Sequence, residues 1–581
     1  MRAICRRLTL VPVMLFFTAC STTPEQPPTT TLQKTDSPAP AVTRAAIASA
    51  HPLATQAGLD ILASGGNAFD AAVAVAASLG VVEPYSAGLG GGGFWLVYNA
   101  QEDSYRFIDA REKAPAAAHR DYYLNDDGSV NRDKAVNGPT AAGIPGQPAA
   151  FDYITRHYGR LPLSQTLAPA IRQAQQGFAV DKVYRQLAGW RLEALRRYPQ
   201  SAQIFLDQGD IPAAGYQLRQ PQLATTLQRL ARQGADGFYQ GATAQQLVQS
   251  VRQHGGDWTL QDLSDYRVVE RLPIHVQYGR TEIISAPPPS SGGVALIEML
   301  NMLNHFHWQG MDKVGQTHLL TEIMRRAYRD RAEYLGDPDY VDVPVTALTS
   351  EQRAEHWVSS INRMQATPSL SLKGPKNIDE GFHTTHFSVL DKDGNMVSAT
   401  LSINLPFGSA FVAGGTGVVL NNEMDDFSAK PDAPNAYGLT GNEANAIAPG
   451  KRPLSSMTPT IISSPDSAAI VGTPGGSRII TMVFLGMLEH LQGRPVTDWV
   501  SRQRFHHQYL PDELQYEPGA FSADEKDALR SLGHRLKEVS YNYGNMQAIL
   551  WDKTSGEVSA AADPRGIGAA VVIEPESQTS P

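Results

Sequence analysis

Residues 381–428 read GFHTTHFSVLDKDGNMVSATLSINLPFGSAFVAGGTGVVLNNEMDDFS. The β-branched and apolar residues at 384–390 predict a strand, and residues 396–404 predict a second strand that returns beside it. Between them, residues 391–395 contain the Asp-Gly pair that is typical of a tight hairpin turn. The segment therefore predicts an antiparallel hairpin whose first strand begins at Thr384.

The rest of the chain predicts a mixture of helices and strands that changes character near residue 383. Helices are expected at residues 52–64, 71–79, 294–306 and 316–334, and in most of 161–265. Further strands are expected at residues 94–97, as a pair within 268–285, and at 411–420, 460–464, 468–471, 548–552 and 557–561. We therefore expect helices to dominate first and β-structure to begin abruptly after residue 383. Sheets covered by helices, an α/β (α+β) arrangement, are the natural architecture for this mixture.

A run of four glycines at residues 90–93 precedes the predicted strand at 94–97. Successive glycines allow the backbone to approach another group closely. A phosphate-binding loop is one interpretation, but no Gly-Lys-Ser/Thr follows and the glycines precede the strand. We therefore interpret the run as close packing near an active site.

The composition excludes several classes of protein. The 581 residues are 42% hydrophobic and 18% charged, which is typical of a globular chain and not of a disordered one. The formal net charge of −9 lacks the basic excess of a nucleic-acid-binding protein. Cys5 and Cys20 are the two cysteines, so neither a disulfide framework nor a cysteine-based metal centre is expected.

Two pairs of histidines are weak signals for a metal site. His383 and His386 lie three apart on a predicted strand, where their side chains would point to opposite faces. His506 and His507 are adjacent and form no recognisable ligand pattern. We therefore predict no metal and no cofactor.

The N-terminus is expected to be a targeting segment. Residues 1–19 combine three arginines with a short apolar run and small residues near Cys20, as a secretory signal does. The position of Cys20 resembles the lipidated cysteine of bacterial lipoproteins, and the alternative is an ordinary signal cut near Ala19. Residues 20–44, rich in Ser, Thr and Pro, then predict a disordered tether. A periplasmic, lipid-anchored protein is expected, with Ser21 favouring the outer membrane.

Thr384 could act as a nucleophile with its own base if the chain is cut directly before it. The threonine would then carry a hydroxyl nucleophile and a free α-amine, whose ordinary pKa of about 7.7–8.0 suits a base near neutral pH. Activation of a hydroxyl by its own terminal amine is a known solution for a weak nucleophile. From the residues alone, the favoured interpretation of Thr384 and Thr385 is that they are plain β-branched strand residues. The chain has no Gly-x-Ser-x-Gly elbow and no His-Glu-x-x-His zinc helix that would suggest another chemistry.

Several segments in order resemble the γ-glutamyltransferases, or γ-glutamyl transpeptidases, which are members of the N-terminal nucleophile hydrolase superfamily. The resemblance extends over about residues 46–565. Its segments are Gly88–Phe94, Asp109–Glu112, Pro287–Gly293, Thr384–His386, Asn421–Phe427, Pro453–Met457 and Pro474–Arg478. The resemblance implies a four-layer αββα sandwich.

The resemblance also implies that the precursor cleaves itself between His383 and Thr384. The products would be a large subunit of residues 45–383 and a small subunit of residues 384–581, which stay together as a heterodimer. In the mature enzyme Thr384 would take the γ-glutamyl group from glutathione or another γ-glutamyl amide. Water, an amino acid or a peptide would then accept the group.

The site residues implied by the resemblance fall into three groups around Thr384. Those that bind the donor's α-carboxylate would be Arg111, Ser455 and Ser456; those around its α-ammonium would be Asn404, Glu423 and Asp426. Gly475 and Gly476 would form the oxyanion hole, and Ser402 stands where the family usually has a threonine that contacts the nucleophile. Tyr437 would belong to a lid loop at residues 431–446. Each of these residues also has an ordinary structural explanation when it is taken alone.

Two alternatives differ in what they require of these residues. A glutaryl-cephalosporin-type acylase on the same fold would need no acidic cluster, because a glutaryl group has no ammonium. A non-catalytic lipid-anchored binding protein would keep an intact chain. Glu423, where many bacterial members carry Gln, adds negative charge beside the expected ammonium.

Overall fold

The structure is a computed structural model that describes residues 42, 44–374, 384–430 and 443–573. Its α-helices are α1 Pro52–Ala63, α2 Ala68–Val82, α3 Arg132–Val136, α4 Gln147–Tyr158, α5 Leu163–Thr166, α6 Ala168–Gln176, α7 Lys182–Trp190, α8 Leu192–Arg197, α9 Pro199–Phe205, α10 Pro221–Gln233, α11 Asp236–Tyr239, α12 Gly241–Gln253, α13 Leu260–Ser264, α14 Gly292–Asn304, α15 Lys313–Tyr334, α16 Val345–Leu348, α17 Glu351–Val358, α18 Ile479–Leu491, α19 Val496–Ser501 and α20 Ala523–Ser531. No helix in these ranges combines the length and the apolar character that a membrane span requires.

The strands are β1 Ala46–Ser49, β2 Gly92–Asn99, β3 Ser104–Ala110, β4 Phe178–Ala179, β5 Gln217–Leu218, β6 Val269–Arg271, β7 Ile274–Tyr278, β8 Thr281–Ser285, β9 Thr385–Leu390, β10 Met396–Ser402, β11 Val412–Ala413, β12 Val418–Val419, β13 Thr460–Ser463, β14 Ser467–Gly472, β15 Phe505–His506, β16 Leu514–Tyr516, β17 Leu536–Glu538, β18 Gln547–Asp552, β19 Val558–Ala562 and β20 Ala569–Val572. Two large antiparallel sheets contain most of them. The first has the order β20-β1-β9-β10-β2-β3-β6 and the second β19-β18-β14-β13-β8-β7.

The two sheets are packed face to face and each is covered by helices. In β2, Trp95 and Val97 pack into the same core as α2, whereas Phe94 and Leu96 pack into the core shared with the second sheet. This alternation follows from the period of two along a strand. Helices α14, α15 and α18 also contribute to the core around the second sheet. The expected four-layer αββα sandwich is confirmed.

The expectation that β-structure begins after residue 383 is wrong. Strands β1, β2 and β3 come early in the chain, and the hairpin of β9 and β10 is inserted between β1 and β2. Phe387 pairs with Ser49, and Thr400 pairs with Phe94. β1 is short and fully buried, so it lacks the polar-apolar alternation that marks a half-exposed strand, whereas β2 contains the strand expected at residues 94–97. Strands from both sides of residue 383 therefore share one sheet.

Two other expectations about strands need correction. Residues 268–285 form three strands instead of the expected pair, because Pro273 lies between β6 and β7 and cannot donate a ladder hydrogen bond. As a result β6 joins the first sheet, whereas β7 and β8 join the second. Residues 411–420 form the short pair β11 and β12 instead of one strand, and the turn between them contains Gly415 at φ +77°. The hairpin at 384–404 is confirmed.

Candidate active site

Thr384 directly precedes β9 and is 8% exposed. Its hydroxyl oxygen accepts a hydrogen bond from the backbone N–H of Gly475, at 3.2 Å. Gly475 has a φ of +142°, and a Cβ at this position would lie 2.5 Å from the terminal methyl of Met482. The local backbone therefore requires glycine where it presents an N–H group to the threonine.

One small cavity contains eight of the residues that the sequence singled out. They are Arg111, Thr384, Ser402, Asn404, Asp426, Ser455, Ser456 and Gly476. These residues come from both sides of residue 383 and lie at or near strands of the two large sheets, except Asp426, which ends a short 3-10 helix. The expected assembly of these side chains around Thr384 is therefore present in the fold, although their individual roles stay predictions.

Arg111 is buried at the centre of an acidic cluster. Its Nη1 atom lies 2.7 Å from Glu423 Oε2, and its Nη2 atom lies 2.5 Å from Asp426 Oδ2. Glu112 Oε2 is 3.7 Å away. Burial alone would lower the pKa of Arg111, but Glu423 and Asp426 raise it above its ordinary value. The guanidinium is therefore permanently charged.

This cluster contains three carboxyl groups, from Glu112, Glu423 and Asp426, and one cation, Arg111. Burial, followed by the charge of Glu423, raises the pKa of both Glu112 and Asp426 well above the ordinary range. Two or more carboxylates in one buried site resist simultaneous ionisation, because their charges repel each other. An additional cation in this cavity would relieve that repulsion. The cluster is thus suited to a ligand that carries an ammonium group.

The predicted glycine packing beside this cavity is confirmed. A Cβ on Gly90 would lie 2.0 Å from the carbonyl oxygen of Val419, and one on Gly91 would lie 2.2 Å from that of Ser402. Ser402 Oγ in turn accepts the backbone N–H of Asn404 at 2.8 Å. Asn404 has a φ of +71°, a conformation that asparagine tolerates better than most residues. The glycine run thus supports the end of β10, where two predicted site residues lie.

Arg331, in α15, lines the same cavity and was not predicted from the sequence. Its Nη2 atom donates to Ser456 Oγ at 3.1 Å and its Nε atom donates to Ser291 Oγ at 2.9 Å. Burial lowers the pKa of Arg331 to about 10. No carboxylate of the described residues lies within ion-pair distance of it. The sequence of α15 contains several arginines but carries no signal that this one is buried in the site.

Thr384 also lines a second, larger cavity that the sequence did not predict. Its walls include Gly475 and several aromatic side chains, Tyr85, Trp190, Tyr541 and Tyr543. Glu83 belongs to the same wall. Gly475 lines this cavity, Gly476 lines the small one, and Thr384 lines both. Thr384 therefore lies between a small charged cavity and a larger aromatic one.

Several predicted residues cannot be compared with the structure. Cys20, His383 and Tyr437 lie outside the described residues. Within those residues, no group of three or more His, Cys, Asp or Glu side chains is placed to hold a metal ion. His386 is buried, its Nδ1 atom lies 2.9 Å from Thr400 Oγ1, and burial lowers its pKa to about 3. His386 is therefore a neutral core residue beside the site.

Comparisons with known proteins agree with the geometry. The family described as Gamma-glutamyltranspeptidase matches residues 54–573. The chain is 42% identical to a glutathione hydrolase proenzyme of Escherichia coli, over 90% of each chain. It is similar to the crystal structure of a cephalosporin acylase from Bacillus halodurans, with a TM-score of 0.80, 27% identity, and 96% and 99% of the two chains covered. It is also similar to Helicobacter pylori gamma-glutamyltranspeptidase, with a TM-score of 0.54 and 36% identity over 56% of this chain and 93% of that chain.

Proposed function

The chain belongs to the gamma-glutamyltranspeptidase family, and from this premise we propose that Thr384 is the nucleophile of a self-processing γ-glutamyltransferase. The observation that carries the proposal is the contact between the Thr384 hydroxyl and the Gly475 N–H, at the edge of a cavity that contains Arg111 and its carboxylates. A nucleophile, a donor for an oxyanion and a site for a zwitterion are thereby adjacent.

Self-cleavage would create the mature nucleophile. Thr384 Oγ1 attacks the carbonyl carbon of residue 383, and the peptide becomes an ester through an N-to-O shift. The shift breaks the C–N bond and frees the α-amine of Thr384. Water then hydrolyses the ester, which releases the Thr384 hydroxyl and the carboxylate of residue 383, and the free amine serves as the base for that hydroxyl. Because β9 and β10 are paired between β1 and β2, the two pieces would remain joined by ladder hydrogen bonds and by the core.

Transfer would proceed through a threonyl ester. Thr384 attacks the γ-amide carbon of glutathione or another γ-glutamyl compound, the amine leaves with a proton, and the γ-glutamyl ester remains. Water or the amine of an amino acid or peptide then resolves the ester. The N–H of Gly475, which donates to the threonine hydroxyl, would stabilise the oxyanion together with the N–H of Gly476.

The small cavity would hold the glutamyl group by its two charges. Arg111 would release its contacts with Glu423 and Asp426 and offer its guanidinium to the α-carboxylate, with a paired geometry that a lysine cannot reproduce. Ser455 and Ser456 line the same cavity and add hydroxyl groups. Glu423 and Asp426 would receive the α-ammonium, and this would relieve the repulsion within the cluster.

The acylase alternative has one observation in its favour, the similarity to the Bacillus halodurans acylase. However, a glutaryl group lacks the ammonium that the carboxylates around Arg111 would bind. A comparison of γ-glutamyl-p-nitroanilide with glutaryl-p-nitroanilide on the matured protein distinguishes the two functions. We expect turnover of the first substrate and little of the second. Preferential turnover of the glutaryl compound would establish the acylase, and turnover of neither would favour a binding protein.

The cellular location is also a proposal, and it is supported by the sequence of residues 1–44. We propose that Cys20 is lipidated and that the protein is anchored to a membrane on the periplasmic side, with the outer membrane favoured. A Cys20→Ser variant should then appear in the soluble fraction of a cell lysate, whereas the wild type should sediment with membranes. Equal sedimentation of the two proteins would contradict the lipid anchor.

A further inference from the structure

Because Thr384 lies between two cavities, the larger cavity can be given a role in the transfer reaction. If the small cavity holds the γ-glutamyl group, as in the proposed function on which this inference rests, the other half of the amide needs a separate space. The larger cavity, which Thr384 and Gly475 also line, is open to the nucleophile and rich in aromatic side chains. The leaving amine and the incoming acceptor amine would therefore occupy it.

Glu83 is the acidic residue in the wall of this cavity. It follows α2 directly, and its side chain is almost completely buried. The hydroxyl of Tyr85 is 3.4 Å from Glu83 Oε1. No lysine, arginine or histidine of the described residues lies within ion-pair distance of the Glu83 carboxyl. A buried carboxyl without a cation is costly unless a ligand or a proton neutralises it.

The groups that face Glu83 do not stabilise its charge strongly. They are the hydroxyls of Thr385 and Tyr85, and the carboxylate of Asp181, which precedes α7. His51 Nε2 is 3.8 Å from Asp181 Oδ2, and burial lowers the pKa of His51 to about 4, so this histidine brings no charge at neutral pH. Burial is the largest effect on Glu83 and raises its pKa to about 7. The carboxyl can thus take and release a proton near neutral pH.

We propose that Glu83 is the proton acceptor for the incoming amine in the transfer reaction. An acceptor amine arrives largely as an ammonium, because the ordinary pKa of a peptide α-amine is about 7.7–8.0. The ammonium transfers one proton to the Glu83 carboxylate. The free amine attacks the ester carbon of γ-glutamyl-Thr384, the C–N bond forms, and the C–O bond to Thr384 breaks. The second proton of the nitrogen passes to Thr384 Oγ1, and Glu83 later releases its proton to solvent.

This assignment separates the two bases of the reaction. The α-amine of Thr384 serves the threonine hydroxyl during acylation, and Glu83 serves the acceptor during transfer. Water carries no such surplus proton, so hydrolysis depends on Glu83 less than transfer does. Glu83 would thus help to set the ratio of transfer to hydrolysis.

The test compares two acceptors in a Glu83→Gln variant, with γ-glutamyl-p-nitroanilide as donor. Glycylglycine is mostly protonated at pH 7, whereas hydroxylamine is mostly unprotonated and needs no base to become a nucleophile. We expect the ratio of transfer to hydrolysis to fall at least about tenfold for glycylglycine and to change less than about twofold for hydroxylamine. An unchanged ratio for glycylglycine, or an equal fall for both acceptors, would overturn the proposal.

Two further variants keep the result interpretable. Glu298→Gln removes another buried carboxyl, in α14 and away from both cavities, and should leave both ratios unchanged. If Glu83→Gln does not cleave itself, Tyr85→Phe is tested instead. Loss of the hydroxyl near Oε1 should raise the pKa of Glu83. The acid limb of the pH–rate profile for transfer to glycylglycine should then move to higher pH. An unmoved limb would overturn the proposal. No turnover of the donor by the wild type would instead refute the proposed function.

Discussion

The hydroxyl oxygen of Thr384 lies 3.2 Å from the backbone nitrogen of Gly475, although 91 residues separate them in the chain. The contact joins the start of β9, in the first sheet, to the loop that follows β14, in the second sheet. The packing of one sheet on the other thus places a hydrogen-bond donor at the proposed nucleophile. Small changes in that packing should alter the chemistry more than they alter the stability.

Gly475→Ala should reduce the rate of the mature enzyme. The added Cβ would meet Met482 at 2.5 Å and strain a backbone at φ +142°, so the N–H would move away from Thr384. Loss of one oxyanion donor typically costs about 10²–10³ in kcat. Steady-state kinetics should show this fall in kcat with a smaller change in KM. Gly493→Ala, at another positive φ but with open space around it, is the matched control and should keep kcat.

Arg111→Lys should weaken binding of the γ-glutamyl donor. The lysine keeps the charge but loses the two parallel hydrogen bonds, and it contacts fewer carboxylates of the cluster. Hydrogen bonds to charged groups contribute about 1.5–3 kcal/mol each, so kcat/KM should fall by a factor on the order of 10². Arg353→Lys, at an ion pair with Asp330 outside the site, should leave kcat/KM unchanged. Equal effects of the two substitutions would argue against a specific role for Arg111.

Gly91→Ala should destabilise the protein and prevent self-cleavage. Its Cβ would lie 2.2 Å from the Ser402 carbonyl oxygen, so the end of β10 would have to move together with Asn404. Overpacking of a core costs about 1–3 kcal/mol, and this contact is with rigid backbone. Thermal unfolding and gel analysis of the purified variant test this expectation. Gly310→Ala, which meets nothing within 4 Å, should unfold and mature like the wild type.

Glu298 should make the stability depend on pH. Burial and then the charge of Asp330 raise its pKa in the folded state well above the ordinary value, so the folded protein binds a proton that the unfolded chain releases. Its favourable contribution is present below the unfolded pKa of about 4.3 and is lost as pH rises toward the folded pKa, by roughly 1.4 kcal/mol per pH unit. Between pH 5 and about 7 the wild type should therefore lose stability relative to Glu298→Gln. Parallel denaturant midpoints for the two proteins would contradict a raised pKa.

The sequence predicted the residues of the small cavity better than the sheets that support it. Arg111, Thr384 and Asp426 lie in segments whose order along the chain is specific, and they do meet in one cavity. Strand β2 was expected at residues 94–97, but β1 and β3 were missed, and a short buried strand such as β1 carries no alternation. The αββα arrangement was predicted from the resemblance to the γ-glutamyltransferases, because the hydrophobic periodicity of the segments does not determine how the layers stack.

The burial of Arg331 and Glu83 could not be predicted from sequence patterns. Each is a charged residue in or beside a long helix, where the ordinary expectation is a solvent-exposed position. Only the packing of those helices on the two sheets shows that both side chains are buried, and that each lines a cavity with Thr384. Their chemistry depends on this burial and not on a motif.

The most direct test of Thr384 as a self-activated nucleophile is the intact mass, under denaturing conditions, of purified protein that lacks its signal segment. We predict two chains, one with the mass of residues 384–581, and a single uncut chain for Thr384→Ala. A wild-type chain that stays intact after long incubation at neutral pH would contradict the proposed mechanism, and so would cleavage of the Thr384→Ala variant.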